Sequence, residues 1–171
     1  MTTHRRAVAA DDFRQWVEPL LKPSAAYAFV LLGNRADAED AVQEAALKAY
    51  RKSADFDYSR SFRGWWFAIL RNCCRDLRRR SRPARHVNSL DEQLAVQVAA
   101  DLAGQKEELR RALGRLSEDH REILELRYFG ECSYRDLAAT LGIPEGTVMS
   151  RLHAARKALA ATYRRLHHDA D

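Results

Sequence analysis

The segment between Ser133 and Leu159 limits the possible folds of this chain more than any other stretch. Its first four residues, S-Y-R-D, have the pattern of a capping box, in which a serine and an acid satisfy backbone N–H groups at a helix start. Gly142 can supply a left-handed turn after a short helix, and Pro144 presets the start of a second helix. Two helices joined by such a turn predict a helix-turn-helix. The alternative is two core helices of an ordinary bundle.

Composition extends the helical prediction to the whole chain. Only 7 of the 171 residues are glycine and 4 are proline, while alanine, leucine, arginine and glutamate are abundant. Apolar residues recur at helical spacing through most of the sequence. The predicted fold is therefore all-α, with helices over Asp11–Leu32 (one or two helices, because Pro23 interrupts the pattern), Asp37–Tyr50, Trp65–Arg80, Gln105–Leu116, the stretch after Ser117, Tyr134–Leu141, and Glu145 to beyond Leu159.

Charge divides the chain into three parts. Residues 1–86 hold 17 basic and 10 acidic side chains, and residues 105–171 hold 12 and 11. Residues 87–104 hold three acids and no lysine or arginine, and Pro83 precedes them. We therefore expect two small helical domains, 1–86 and 105–171, joined by a flexible acidic linker, 87–104.

Several classes of protein are not expected from this sequence. The apolar runs are too short for a membrane helix, and the N-terminus lacks the apolar core of a signal peptide. Cys73, Cys74 and Cys132 form no CxxC or Cys/His cluster, so neither a disulfide framework nor a zinc site is expected, and a reducing cytosol is the default. No cofactor, metal or catalytic constellation is predicted.

Two features of the first domain admit two interpretations each. On the helix over Asp37–Tyr50, an alanine-rich stripe faces the core while acids occupy the other faces. Those acids form either a well-capped, solvated helix end or a protein-docking surface. The aromatic residues of 56–66, with Arg60 and Arg63 among them, form either core with a polar loop or a site that stacks unpaired bases.

Basic side chains crowd one face of the helix that follows. They lie at i, i+4, i+7, i+8 and i+11: Arg71, Arg75, Arg78, Arg79 and Arg82. Like charges at this spacing repel, so the face predicts an anionic partner, and nucleic acid fits. The last helix has its own outward face, which could reach base edges in a major groove: Gly146, Met149, Ser150, His153 and Lys157.

Three strings in this order resemble the extracytoplasmic-function sigma factors of bacterial RNA polymerase. They are DAEDAVQEAALKAY (Asp37–Tyr50), FRGWWFAILRNCCRDLRRR (Phe62–Arg80) and LSEDHREILELRYFGECSYRDLAATLGIPEGTVMSRLHAARKAL (Leu116–Leu159). The resemblance covers about residues 11–165. It implies a sigma region two bundle and a sigma region four helix-turn-helix, with the linker threading past the polymerase active centre. The implied function is promoter recognition and strand opening, without catalysis by the chain itself.

The resemblance also implies roles for individual residues. The surface that grips the β′ clamp helices of core polymerase is matched by Asp40, Gln43, Glu44 and Lys48. The family residues that contact the minus-ten element correspond to Tyr58, Arg60, Phe62, Arg63, Trp65, Asn72, Arg75, Arg78 and Arg79. The family residues that read the minus-thirty-five element correspond to Thr147, Met149, Ser150, Arg151, His153, Arg156 and Lys157. The first helices of region four are implied to hold the β-flap, and an anti-sigma protein is a further possible partner.

The chain departs from the family pattern at a few positions. Met149 and Ala154 stand where basic residues are common, Ser117 replaces a usual proline, and Cys73-Cys74 stands where small or aliphatic residues are common. Two other classes of protein fit the sequence less well. A dimeric helix-turn-helix regulator would leave the acidic and aromatic segments unexplained, and a nuclease would need paired carboxylates beside a histidine or lysine.

Overall fold

The computed structural model describes residues 10–57, 59–80 and 103–168 of the chain. The described residues form helices and connecting turns, which confirms the all-helical prediction for this part of the chain. A 3₁₀ turn covers Ser53–Asp55. The α-helices are α1 (Ala10–Leu32), α2 (Arg35–Lys52), α3 (Phe62–Arg80), α4 (Ala103–Gly114), α5 (Glu118–Tyr128), α6 (Tyr134–Leu141) and α7 (Glu145–His168).

Helices α1 to α3 pack on one another and form the first domain. Helix α1 continues through both of its prolines, so the segment predicted to be one or two helices is a single helix. Gly33, with φ of +75°, ends α1, and the Asn34 side chain caps α2 by accepting from the Asp37 backbone N–H at 2.8 Å. Helix α3 begins three residues earlier than predicted, because the Ser61 hydroxyl accepts from the Gly64 N–H at 3.0 Å.

The predicted alanine stripe of α2 is confirmed, whereas Tyr50, which the helical spacing places on the same stripe, is 49% exposed. The alanine stripe of α2 is buried at Ala38, Ala41, Ala45 and Ala49. The buried face of α3 is formed by Gly64, Trp66, Phe67, Leu70, Cys73 and Cys74. The small alanine side chains allow α2 to lie close to its neighbours. The polar side chains of α2 lie on the opposite, outer face of the helix.

Helices α4 to α7 form the second domain, and its predicted helix-turn-helix is confirmed. Ser133 and Asp136 make both bonds of the capping box, and Gly142 adopts a left-handed φ of 67°. The inward stripe of α7 is buried at Val148, Leu152 and Ala155. These contacts fix α6 against α7 and leave the opposite face of α7 to solvent.

The helical spacing puts Leu109, Leu113 and Leu116 on one side of the predicted helix over Gln105–Leu116. That side is not uniformly buried, since Leu109 is 41% exposed. Helix α4 packs on α7, and its buried face is centred on the small Ala112. Leu116 is buried, but it lies beyond the end of α4 at Gly114.

The two domains pack against each other through α3 and α6 and, to a lesser extent, α1 and α5. Gly64 is buried so close to α6 that a Cβ at this position would lie 2.7 Å from the Ala139 Cβ. Phe67 contacts Gly130 in the same way from the first domain. One hydrophobic core therefore runs through both domains.

Three predictions fall outside the described residues. They are Tyr58, Arg82 of the basic face, and residues 87–102 of the linker, whose acidity is a property of the sequence. Within the described part of the chain, every helix is too short or too polar for a bilayer crossing.

Candidate functional site

An acidic surface on α2 lines one side of an open depression. Asp40, Gln43 and Glu44 are exposed, and the Lys48 Nζ lies 3.3 Å from the Glu44 carboxylate. The depression has a volume of 310 Å³ and is lined by Asp40, Gln43, Glu44, Leu47 and Leu77. We call these five residues the acidic groove. Three of the four residues that the sequence assigned to polymerase binding thus line one shallow site.

The two leucines of the acidic groove were missed by sequence reasoning. Leu47 is 53% exposed although it is large and apolar. The available signal was its position: it lies off the alanine stripe of α2, so the core does not need it. Lys48, the fourth predicted residue, lies 3.7 Å from the Cys73 sulfur. Burial raises the pKa of the Cys73 thiol, and the nearby ammonium of Lys48 only partly opposes this.

The predicted base-stacking aromatics lie in a cluster of rings. Phe62 meets Phe13, Trp16 and Trp65 with ring centroids 6.3, 5.3 and 5.5 Å apart. Phe56 joins the cluster at 5.4 Å from Phe62. Phe62 and Trp65 are therefore half-buried packing residues, and only part of each side chain is accessible to a base.

The turn before α3 has its own hydrogen bonds. The Asp57 carboxylate accepts from the Ser59 backbone N–H at 3.0 Å and from its hydroxyl at 2.8 Å. These hydrogen bonds lower the pKa of Asp57. Arg60 is exposed and lies 3.5 Å from the same carboxylate. The turn also contacts the second domain, because Arg135 donates to the Ser59 carbonyl at 2.9 Å.

Basic residues of α3 contact the second domain. Arg63 donates to the Gly130 carbonyl at 2.8 Å. Arg75 lies 3.0 Å from the Glu122 carboxylate, and Arg78 lies 3.4 Å from that of Glu118. Asn72 is exposed, and Arg79 pairs within α3 with Asp76 at 2.8 Å. Three of the predicted minus-ten residues therefore take part in the contact between domains.

Sequence reasoning missed the acids that meet this basic face. Glu122 forms a bidentate pair with Arg71, with distances of 2.6 and 3.0 Å. The signal was present in the spacing. Glu118, Glu122 and Glu125 follow one another at i, i+4 and i+7, which is the spacing of Arg71, Arg75 and Arg78. We call these three glutamates the α5 carboxylate row.

The third member of the row is the most deeply buried. Burial raises the pKa of Glu125 to about 7, and the positive charge of Arg121 opposes this only in part. Tyr27 of α1 lies in the same region, and burial raises its pKa well above the usual value, with Glu122 adding to the effect. Among the described residues, Glu125 Oε2 and the Tyr27 hydroxyl are the buried side-chain atoms without a hydrogen-bond partner.

The outward face of α7 brings the predicted minus-thirty-five residues together. Met149 is 58% exposed, and Thr147, Ser150, His153, Arg156 and Lys157 are exposed as well. Arg151 is partly buried and lies 3.9 Å from the Asp119 carboxylate. Arg156 donates to the Tyr128 hydroxyl at 3.1 Å, which holds its guanidinium beside an exposed aromatic ring. No group of three metal-ligating side chains occurs within the residues described.

Comparison with known proteins gives consistent matches. Residues 16–83 match the profile of sigma-70 region 2, and residues 106–159 match that of sigma-70 region 4. The ECF RNA polymerase sigma factor SigL of Mycobacterium tuberculosis is 37% identical over 145 residues, covering 82% of each chain.

Two solved structures have the same fold. CnrH, in complex with the cytosolic domain of CnrY, superposes with a TM-score of 0.68 at 28% identity, covering 91% of this chain and 89% of CnrH. The sigma factor RpoE of Bartonella quintana, in complex with the anti-sigma factor NepR, gives 0.66 at 30% identity, covering 91% of this chain and 98% of RpoE.

Proposed function

Because this chain belongs to the extracytoplasmic-function sigma factors, the non-enzymatic subunits through which RNA polymerase initiates transcription, we propose that its two domains divide three binding tasks. Residues 1–86 bind core polymerase and the minus-ten element, and residues 105–171 bind the minus-thirty-five element. Residues 87–104 link them. This division assigns a partner to each of the surfaces described above, and it places the protein in the cytoplasm, where the polymerase acts.

The acidic groove is the proposed contact with the β′ clamp helices of core polymerase. Exposed carboxylates at Asp40 and Glu44 flank the exposed Leu47 and the partly buried Leu77, which is the combination of an apolar centre and a polar rim that protein interfaces use. Gln43 and Lys48 complete the polar rim. This juxtaposition is the observation that carries the core-binding proposal. The first helices of the second domain are proposed to hold the β-flap.

The minus-ten element is proposed to meet the turn before α3 and the basic face of α3. The residues assigned to this contact are Tyr58, Arg60, Phe62, Arg63, Trp65, Asn72, Arg75, Arg78 and Arg79. The accessible parts of the aromatic cluster would stack an extruded base, and the arginines would follow the phosphates.

The exposed face of α7 is proposed to enter the major groove at the minus-thirty-five element. Thr147, Ser150, His153 and Lys157 present donors and acceptors to base edges, and Arg151 and Arg156 lie at the flanks. Met149 offers apolar contact, for which a thymine methyl is the natural target.

An anti-sigma protein is a further proposed partner. The two solved relatives described above are complexes with CnrY and with the anti-sigma factor NepR, and this chain superposes on each over nine-tenths of its length. We propose that a protein of this class binds the chain.

Core docking is tested by reversing the charges of the acidic groove. The double variant Asp40→Lys/Glu44→Lys should weaken binding to core polymerase by several kcal/mol, since attraction across the interface becomes repulsion. Binding is measured by titrating labelled core enzyme. The matched control is Glu18→Lys, an exposed position on α1. Circular dichroism should be unchanged in all variants, and wild-type affinity in the double variant would disprove the assignment.

A further inference from the structure

Neutral groups hold an exposed arginine in the middle of α7. Arg156 donates through Nε to the Tyr128 hydroxyl at 3.1 Å, and its guanidinium carbon lies 6.0 Å from the centre of the same ring. Hydrogen bonds to the hydroxyls of Tyr128 and Tyr134 raise the pKa of Arg156. Two side chains from outside α7 therefore fix the direction in which this guanidinium points.

The two tyrosines lie at a junction of three helices. Tyr128 is the last residue of α5, and Tyr134 is the first residue of α6. Arg127 donates to the Cys132 carbonyl at 2.9 Å in the turn between them, and its guanidinium carbon lies 5.8 Å from the centre of the Tyr134 ring. The C-terminal end of a helix carries partial negative charge, so the end of α5 also attracts Arg156. The junction thus supports this one guanidinium from two sides.

The charge of Arg156 is not compensated by an acid. Arg71 on α3 faces the Glu122 carboxylate, and Arg151 on α7 lies near that of Asp119. Among the residues that the structure describes, Arg156 has no carboxylate within ion-pair distance. A phenol can accept a hydrogen bond from a guanidinium as an acid does, but it is uncharged and does not repel an anion. Arg156 is therefore oriented and still able to bind an anion.

The position of Arg156 along α7 indicates which part of DNA it meets. It lies about 16 Å along the axis from Glu145, since an α-helix rises about 1.5 Å per residue. A recognition helix contacts base edges with its N-terminal residues, which here include Met149 and Ser150. With that end of α7 in the major groove, Arg156 reaches a phosphate at the edge of the groove and not a base.

We propose that Tyr128 is a positioning residue for minus-thirty-five binding: its hydroxyl holds the Arg156 guanidinium in the orientation that binds a DNA phosphate. The inference rests on the DNA role proposed for Arg156. A side chain that is already ordered loses less conformational entropy when it binds. Removal of the hydroxyl should therefore lower DNA affinity about two- to tenfold, although the charge of Arg156 is retained.

The experiment compares Tyr128→Phe, Arg156→Gln and the double variant. Tyr128→Phe keeps the ring and removes only the hydroxyl, and Tyr50→Phe makes the same change at an exposed position in the first domain. Each full-length chain is assembled with core polymerase. Its affinity is measured over a range of salt for a fluorescent promoter duplex selected from a randomised library with the wild-type holoenzyme. A second duplex ends before the minus-thirty-five element.

Charge and orientation have different signatures in this assay. Arg156→Gln should weaken binding and reduce the slope of log affinity against log salt by about 0.9, the value for one phosphate. Tyr128→Phe should weaken binding about two- to tenfold with an unchanged slope, because the charge still reaches the phosphate. It should have no effect in the Arg156→Gln background or on the shorter duplex. Tyr50→Phe should bind both duplexes like wild type.

The outcomes separate the positioning role from the DNA role. Wild-type affinity in Tyr128→Phe, together with weakened binding in Arg156→Gln, overturns the positioning role alone. An unchanged affinity and slope in Arg156→Gln overturns the DNA contact assigned to Arg156, and the positioning role with it. An equal loss from Tyr128→Phe in both backgrounds means that the hydroxyl acts independently of Arg156, and a loss on the shorter duplex means a general structural effect. Either result overturns the proposal.

Discussion

Glu125→Gln should stabilise the protein at neutral and alkaline pH. The Glu125 carboxyl is 3% exposed and lies in a region bordered by Tyr27 and Leu31 of α1, Arg75 and Arg78 of α3, and its neighbours on α5. The positive groups that face it are Arg121, Arg75 and Arg78, and the negative ones are Glu118 and Glu122. These arginines do not offset the cost of burying the charge, because the pKa of Glu125 is still raised to about 7.

The magnitude and the sign follow from that pKa. An ordinary glutamate has a pKa of 4.5, so the native state binds the proton more tightly than the unfolded state does. The contribution of Glu125 to the free energy of unfolding of the wild type therefore falls as pH rises from about 4.5 to about 7. Above that range the contribution stays constant. The full loss is about 3 kcal/mol, at roughly 1.4 kcal/mol for each unit of pKa difference. At pH 5 the loss is only about 1 kcal/mol.

The assay is urea and thermal unfolding at pH 5 and pH 8, followed by circular dichroism. Glutamine is uncharged at both pH values and nearly isosteric with a protonated glutamate. The difference in free energy of unfolding between the variant and wild type should therefore be about 2 kcal/mol larger at pH 8 than at pH 5. Each kcal/mol corresponds to a rise in Tm of about 2–4 °C. Glu18→Gln, at an exposed position, should show no such dependence. An equal gain at both pH values, or a loss at pH 8, would refute the reasoning.

Three further predictions concern the contacts with DNA and between domains. Gly64→Ala should weaken the contact between the domains and lower the free energy of unfolding while the helical content stays unchanged, because the new Cβ would lie 2.7 Å from that of Ala139; a urea unfolding midpoint equal to that of wild type would contradict this. Tyr58→Ala/Arg60→Ala should leave closed promoter complexes nearly intact and reduce permanganate-detectable melting, and normal melting at limiting temperature would show that the turn is only structural. Met149→Arg should change the preferred base opposite position 149 from thymine to guanine by about 1–3 kcal/mol in a selection on randomised upstream elements, whereas the same preferred base in both proteins would mean that Met149 does not face the groove.

Sequence alone determined the local features of this protein. The capping box at Ser133, the left-handed turn at Gly142 and the buried stripe of α7 depend on interactions within a few residues, so the pattern was sufficient to predict them. The exposure of Met149 follows from the same periodicity. The predicted start of α3 is three residues late, because the cap at Ser61 lies outside the apolar pattern of the helix.

Tertiary structure alone decided which surfaces are available. The sequence showed that the basic face of α3 needs an anion, but both DNA and the acids of α5 satisfy that requirement, and the helical spacing of the two rows does not bring them together by itself. Burial of Phe67 beside Gly130 and the fit of Gly64 against Ala139 place α5 and α6 on α3, and these contacts join residues about 60 to 75 positions apart. The exposure of Leu109 was decided in the same way, because burial depends on which neighbour a helix meets and not only on its own pattern of residues.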